Sequence, residues 1–363
     1  MSMCCSVGDL SVDSMKLINV FKDEYGQCNL VEKHFSNIFG NDYSSNNVLN
    51  RICNKSVSCM MLNQLEHIGS TLNKIDIASF VSELYALLDT NDIVKASKHI
   101  NGNFIIQHLN SLSDIETKII FMSKIILPNF SLYIGDLRAR YVLKYFLFND
   151  DDNILLNNNE LQFNLVKAIL KENKYYPYFV QTLNVLNNQN KSVLLLGYFQ
   201  DKNKFKTVYE HKKGSILIQE YIKTNTIINN NAHLNDIILK AMYDAFNDKD
   251  FVFETAKHEY GNYIIGVLIE KQNETSINIL NYIFDDYYSL CFDYFSSNIT
   301  KITFEHLTFD QRMELINVKL GYKKLRTMNN KNKYSIFTLT KIKKFVHHNS
   351  RYFASNIIHA LIH

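Results

Sequence analysis

Two amides and an aromatic ring, at Asn103, Phe104 and Gln107, are the side chains in this chain whose types and spacing most suggest chemistry. On a helix, residues three and four apart share a face. The spacing predicts one exposed face carrying an amide, a flat ring and a second amide. Ile105, Ile106 and Leu109 then turn to a core. Such groups hydrogen-bond the edge of a base and stack on its plane. Gly102 precedes the cluster, and His99 stands three residues before the glycine. The layout returns as His258, Gly261, Asn262 and Tyr263, and in weaker form as His211, Gly214, Ser215, Ile216 and Gln219.

Three copies of one pattern point to a repeat. We call the residue after the glycine the first position, the next the second, and the one four after the first the fifth. From Asn103, a step of 37 residues gives Arg140, Tyr141 and Lys144, and another 37 gives Pro177, Tyr178 and Gln181. A step of 38 gives Ser215, Ile216 and Gln219, and one of 47 gives Asn262, Tyr263 and Gly266. The long step fits a polar insertion at 224–233. Ser297, Asn298 and Lys301 follow after 35, then Ile336, Phe337 and Thr340 after 39. Backwards, Cys59, Met60 and Asn63 fit, then Cys28, Asn29 and Glu32. A shortened last unit falls at Ser355, Asn356 and His359.

The elements that must position these side chains are helices. The 363 residues contain two prolines, Pro128 and Pro177, and proline breaks helix interiors. Amphipathic runs of helical period lie between the clusters, and no strand-length alternation with hairpin signals occurs. Ser113 and Glu116 have capping-box spacing at the start of one run. Polar breakers fall at 150–159, 187–191 and 329–333. The expected architecture is all-α: a curved α-solenoid of about 8–10 three-helix units of about 36 residues each. A short leader, 1–20, precedes a single repeat domain, 21–363. Each unit buries its apolar face only against its neighbours.

Composition excludes several classes. No run approaches the roughly 18 apolar residues of a membrane span, and residues 1–14 make a poor signal peptide. The six cysteines show no CxxC pair, which fits reduced thiols in the cytosol or nucleus. A net charge of +3 does not by itself argue for nucleic acid. There is no GxSxG, HExxH, P-loop or GxGxxG, so no enzyme and no cofactor are expected. His99, His211 and His258 fall in different repeats, which fits loop roles better than metal ligation. The lysines at 202, 204, 206, 323 and 324 read as solvated loops or as phosphate contacts.

The His-x-x-Gly-Asn-[Phe/Tyr]-x-x-Gln helix at this period resembles the Pumilio (PUF) repeat, from about Cys28 to the C-terminus. The resemblance implies RNA on a concave face, with roughly one base met per repeat by two or three side chains. It implies Phe104, Tyr141, Tyr178, Tyr263 and Phe337 as stackers. By the same likeness, Asn103 with Gln107 is similar to a uracil reader, Ser215 with Gln219 to an adenine reader, and Cys28 with Glu32 to a guanine reader. Other units depart from the pattern. Arg140/Lys144 and Ser297/Lys301 carry cations, Pro177 supplies no donor and Gly266 has no side chain.

The shortage of intact pairs is closer to a divergent, nucleolar branch of the family. That branch implies a monomer that holds precursor rRNA during small-subunit maturation, with pre-ribosomal proteins as partners. It needs neither a membrane nor a small-molecule substrate. The alternatives are a cytoplasmic regulator binding mRNA 3′ untranslated regions, and a helical-repeat scaffold that binds proteins.

Overall fold

Every regular element among the described residues is a helix. The structure is a computed structural model and describes residues 44–71, 74–149, 152–172, 178–225, 231–331 and 334–362. The expected leader, Cys28, Asn29, Glu32 and Pro177 lie outside the described residues.

The chain forms two compact units, Met1–Glu172 with Asn184–Asn187, and Asn173–Leu183 with Asn188–His363. In the first, α1 (Ser45–Cys53) and α2 (Lys55–Thr71) lead into α3 (Lys74–Leu87), α4 (Thr90–Lys98) and α5 (Gly102–Leu112). Next come α6 (Ile115–Ile120), running on into a π-helical turn Phe121–Ile126, then α7 (Phe130–Gly135) and α8 (Ala139–Lys144) with the turn Tyr145–Asn149. Helices α9 (Ile154–Asn157) and α10 (Asn159–Lys171) complete this unit, and α11 (Phe179–Val185) crosses the boundary.

The second unit holds α12 (Asn188–Phe199), α13 (Lys202–Tyr209), α14 (Lys212–Thr224), α15 (Ala232–Ala245), α16 (Lys249–Ala256) and α17 (Gly261–Glu270). It continues with α18 (Glu274–Asp285), α19 (Tyr287–Leu290), α20 (Ser296–His306) and α21 (Phe309–Glu314), which runs on into the turn Leu315–Leu320. Its last helices are α22 (Gly321–Lys331), α23 (Ser335–His348) and α24 (Ser355–Ile362).

The three-helix period is visible in α3–α5, α6–α8, α12–α14, α15–α17 and α18–α20. The third helices lie side by side: α2, α5 and α8 in the first unit, and α14, α17, α20 and α23 in the second. Within each unit, residues one repeat apart in sequence therefore sit on neighbouring helices.

Local chemistry fixes where each helix begins. The second helices α4, α13 and α16 start on aspartate caps. Asp89 accepts from the Asp92 N–H at 2.7 Å, Asp201 from Asn203, and Asp248 from Asp250. First helices start on Asp114, Asn158, Asn273 and Thr308. The capping expected of Ser113 falls one residue later. Asp114 accepts from Thr117 N–H, while the Ser113 hydroxyl donates back to the Leu109 carbonyl and closes α5.

Third helices start differently, and here the recurring glycine is explained. A Cβ on Gly102 would lie 2.5 Å from the Ala96 carbonyl oxygen, on Gly214 2.1 Å from that of Val208, and on Gly261 2.5 Å from that of Thr255. In each case the oxygen belongs to the residue six back, at the end of the preceding helix. Glycine lets the two helices meet backbone to backbone. Where α20 has Ser296 instead, its hydroxyl donates to the carbonyl six back, Leu290, at 2.9 Å.

The apolar stripe expected of the third helices is buried. Ile105, Ile106, Leu109, Ile218, Ile264, Ile265 and Ile299 are fully inaccessible. Aromatic rings join successive repeats: Tyr85, Phe121 and Phe146 stand 5.0 and 5.2 Å apart in sequence order. Buried hydroxyl pairs do the same, as in Ser97 with Tyr133 and Thr300 with Thr338. Outside, Lys202 pairs with Asp248 and Lys249 with Asp286. No helix among the described residues is long and apolar enough to cross a membrane.

Gly214→Ala should destabilise the chain by about 1–3 kcal/mol, the usual cost of overpacking. Gly135, with nothing within 4 Å of its Cβ position, is the control: Gly135→Ala should stay within about 1 kcal/mol of wild type. Urea unfolding of the two variants checks both.

Candidate nucleic-acid interface

The side-by-side third helices carry their second positions outward. In the first unit Met60, Phe104 and Tyr141 are exposed on α2, α5 and α8. In the second, Ile216, Tyr263 and Asn298 are exposed on α14, α17 and α20. Phe104 at 57 %, Tyr141 at 53 % and Tyr263 at 53 % are large rings facing solvent with no core role. Around Tyr141, Phe146 takes the buried place and Tyr145 is half-buried. Tyr178, just ahead of α11, is half-buried, as is Gln181. The Phe337 side chain lies outside the described ones.

The first positions differ from expectation. Asn103 does not stand on the exposed face; it is 3 % exposed, and so is Asn262. The cause is local. The Asn103 Nδ2 donates to the carbonyls of His99 and Ile100 at 2.8 and 2.9 Å. Asn262 Nδ2 donates to those of His258 and Glu259 at 2.9 and 2.7 Å. Each amide ties the new helix to the loop before it. Ser215 and Ser297 are buried too, donating to the Tyr260 and Tyr294 carbonyls at 2.8 and 3.0 Å. Arg140 donates through Nε to the Ile134 carbonyl at 2.6 Å.

Fifth positions are more open. Gln107 Nε2 donates to both the backbone oxygen and Oδ1 of Asn103, each at 3.1 Å, and Gln219 donates to Ser215 Oγ at 3.1 Å. Lys144 is exposed and Lys301 half-buried. Gly266 packs its bare face toward Ile302.

The loops that aim these helices share one device. His99 Nδ1 accepts from the Asn101 N–H at 3.2 Å, and His258 Nδ1 from Tyr260 and Gly261 at 3.2 and 3.3 Å. One repeat after His99 and one after His258, an aspartate does the same work. Asp136 accepts from Arg138 and Ala139 at 2.8 and 2.9 Å, and Asp293 from Phe295 and Ser296 at 3.0 and 2.8 Å. His99 and His258 are loop acceptors. Burial first, and then the nearby His258, lower the His211 imidazole from its ordinary range, against the pull of Glu210. Among the described residues no group of three or more His, Cys, Asp or Glu is placed to hold a metal ion.

In the second unit the row borders a groove of about 590 Å³ that runs across α17, α20 and the start of α23. Tyr263, Asn298 and Lys301 face it from the helices, and Tyr294, Tyr334 and Glu259 from the loops. The repeat pattern pointed to the helix residues and missed the loop tyrosines. Their one sequence signal is an aromatic residue recurring just ahead of the small residue that opens each helix: Tyr260, Phe295 and Tyr334 directly before it, and Tyr294 one earlier.

No family model matches this chain, and no curated protein sequence does. Solved structures do resemble it. PUF-6 in complex with 5BE13 RNA superimposes with a TM-score of 0.53 at 12 % identity, over 87 % of this chain and 88 % of that one. The Puf4 RNA-binding domain bound to an HO endonuclease RNA 3′ UTR sequence gives 0.45 at 16 % identity, over 85 % and 90 %. The Puf3 RNA-binding domain bound to a Cox17 RNA 3′ UTR sequence gives 0.46 at 15 %, over 95 % and 93 %. The likeness to PUF-6 assigns the fold: an all-α stack of Pumilio-type repeats.

Asp293→Ala removes the acceptor for two backbone N–H groups and should cost about 1–2 kcal/mol in urea unfolding, with Asp293→Asn retaining most of it.

Proposed function

We propose that this chain is a non-catalytic RNA-binding protein that holds RNA along its third helices by base stacking and phosphate contacts. The observation that carries this is the exposed second-position row: Phe104 and Tyr141 on neighbouring helices of one unit, and Tyr263 beside Asn298 in the other. Packed helices stand about 8–10 Å apart. Two stacking distances of about 3.4 Å fit between side chains at that spacing, so each gap accepts one base. Lys144 and Lys301 at fifth positions supply cations for the backbone.

The finer assignment is to precursor rRNA of the small ribosomal subunit, bound in the nucleolus during ribosome biogenesis. Its support is the weakness of base-edge reading. Asn103, Asn262, Ser215 and Ser297 spend their donors on the protein's own carbonyls. Stacking tolerates any base, which suits a holder of long structured RNA better than a reader of short messages. A second reading, regulation through mRNA 3′ untranslated regions, is favoured by one cluster only, Asn103, Phe104 and Gln107.

Tyr263→Ala and Phe104→Ala should each weaken binding to single-stranded RNA by about 1–3 kcal/mol. Lys301→Ala should flatten the log–log salt dependence of affinity by about 0.7, the share of one phosphate contact on a single strand. Filter binding across a salt series measures both. Crosslinking and sequencing in cells tests the target. Recovery of mRNA 3′ regions without precursor rRNA would sink the nucleolar assignment and leave RNA binding standing.

A further inference from the structure

The groove of the second unit contains a ring that the helix-face row does not account for. Tyr294 occupies neither the first, second nor fifth position. It lies in the loop before α20 and is 61 % exposed, more than Tyr263. An exposed ring on a loop is ordinarily loose, but this one is held from several sides. It makes T-shaped contacts with Tyr334 at 5.1 Å and 75°, and with Phe295 at 4.8 Å and 72°. Its backbone carbonyl accepts from the Ser297 hydroxyl at 3.0 Å, and Asp293 caps the residues that follow. Two T-shaped neighbours fix the ring plane, and the exposure of the residue leaves ring surface for a further stacking partner.

Resting on the reading of the chain as an RNA binder, we propose that Tyr294, braced by Tyr334, is an additional stacking platform for an unpaired nucleobase that has left the helix-face row. The groove's other walls fit that occupant. Lys301 offers a cation to a phosphate, while Asn298 and Glu259 offer hydrogen-bonding groups to a base edge. A volume of about 590 Å³ between Tyr263 and Tyr334 exceeds what a single flat ring fills. The RNA here turns off the helix row onto the loop, and the energy of that turn comes from preorganised aromatic surface.

The test uses the full chain and two fluorescein-labelled single-stranded probes, a 12-mer of uridine and a 12-mer of adenosine. Tyr294→Ala should weaken binding about 5- to 100-fold. Tyr294→Phe, which keeps the ring, should stay within about twofold of wild type. Tyr334→Ala, which removes the brace and leaves the platform, should fall between. Thermal unfolding of each variant reports whether the loop itself has been damaged, and Tyr294→Leu keeps the bulk without the π face. A 4-thiouridine probe should crosslink to the peptide carrying Tyr294. If Tyr294→Ala binds like wild type while Tyr263→Ala is weakened, the platform is overturned and the RNA reading survives. If wild type binds neither probe, the RNA reading falls and the platform with it.

Discussion

The contact on which the rest depends is the one between the opening of the third helices α5, α14, α17 and α20 and a carbonyl six residues earlier. Gly102, Gly214 and Gly261 leave no room there for a side chain, and Ser296 meets the same oxygen with a hydroxyl. An acceptor three residues before the small residue, His99 or His258 in some repeats and Asp136 or Asp293 in others, takes the N–H groups of the turn. With both ends of the turn fixed, the helix leaves at one angle and one rotation. That rotation is what buries Ile105, Ile106 and Leu109 and turns Phe104 outward. The exposed row is thus a consequence of backbone contacts that lie out of its own sight.

Much of this was legible from residue types. The glycine spacing located third helices, and within each unit the repeat steps led to helices that are in fact neighbours. The apolar stripe and the outward rings followed from helical period alone. Burial of Asn103 did not, because the partners of its amide are carbonyls of a loop whose path only the folded chain defines. An asparagine on a helix looks the same in sequence whether it faces water or closes a turn. The cap at Asp114 was misplaced by one residue for a similar reason, since Ser113 and Asp114 are both good caps and tertiary context chose between them. Tyr294 carries no such signal, because helical periodicity says nothing about which loop side chains are held.

The division of labour inside each cluster follows. In α5, α14, α17 and α20 the first position serves the fold and the second faces outward, and across the repeats the fifth varies among glutamine, lysine, glycine, asparagine and threonine. Neighbouring repeats are held by buried hydroxyl pairs and ring contacts, so an individual unit can change its outward chemistry without loosening the stack. This is how one chain carries a well-formed Asn103, Phe104 and Gln107 beside a unit whose fifth position is Gly266.

The long step between Ser215 and Asn262 illustrates how forgiving such an arrangement is. Ser215 donates to Tyr260, and Lys202 pairs with Asp248, across sequence separations of 45 and 46 residues. The first bond ties α14 to the residue before α17 and the ion pair ties α13 to the cap of α16, so the two repeats stay adjacent despite the extra polar residues near 224–233. Closing a longer loop costs only the logarithm of its length, roughly 0.6 kcal/mol for each doubling. A repeat protein can therefore grow a segment at such a joint almost without penalty to register. Such a joint is where a repeat protein can acquire new contacts while its periodic scaffold stays unchanged.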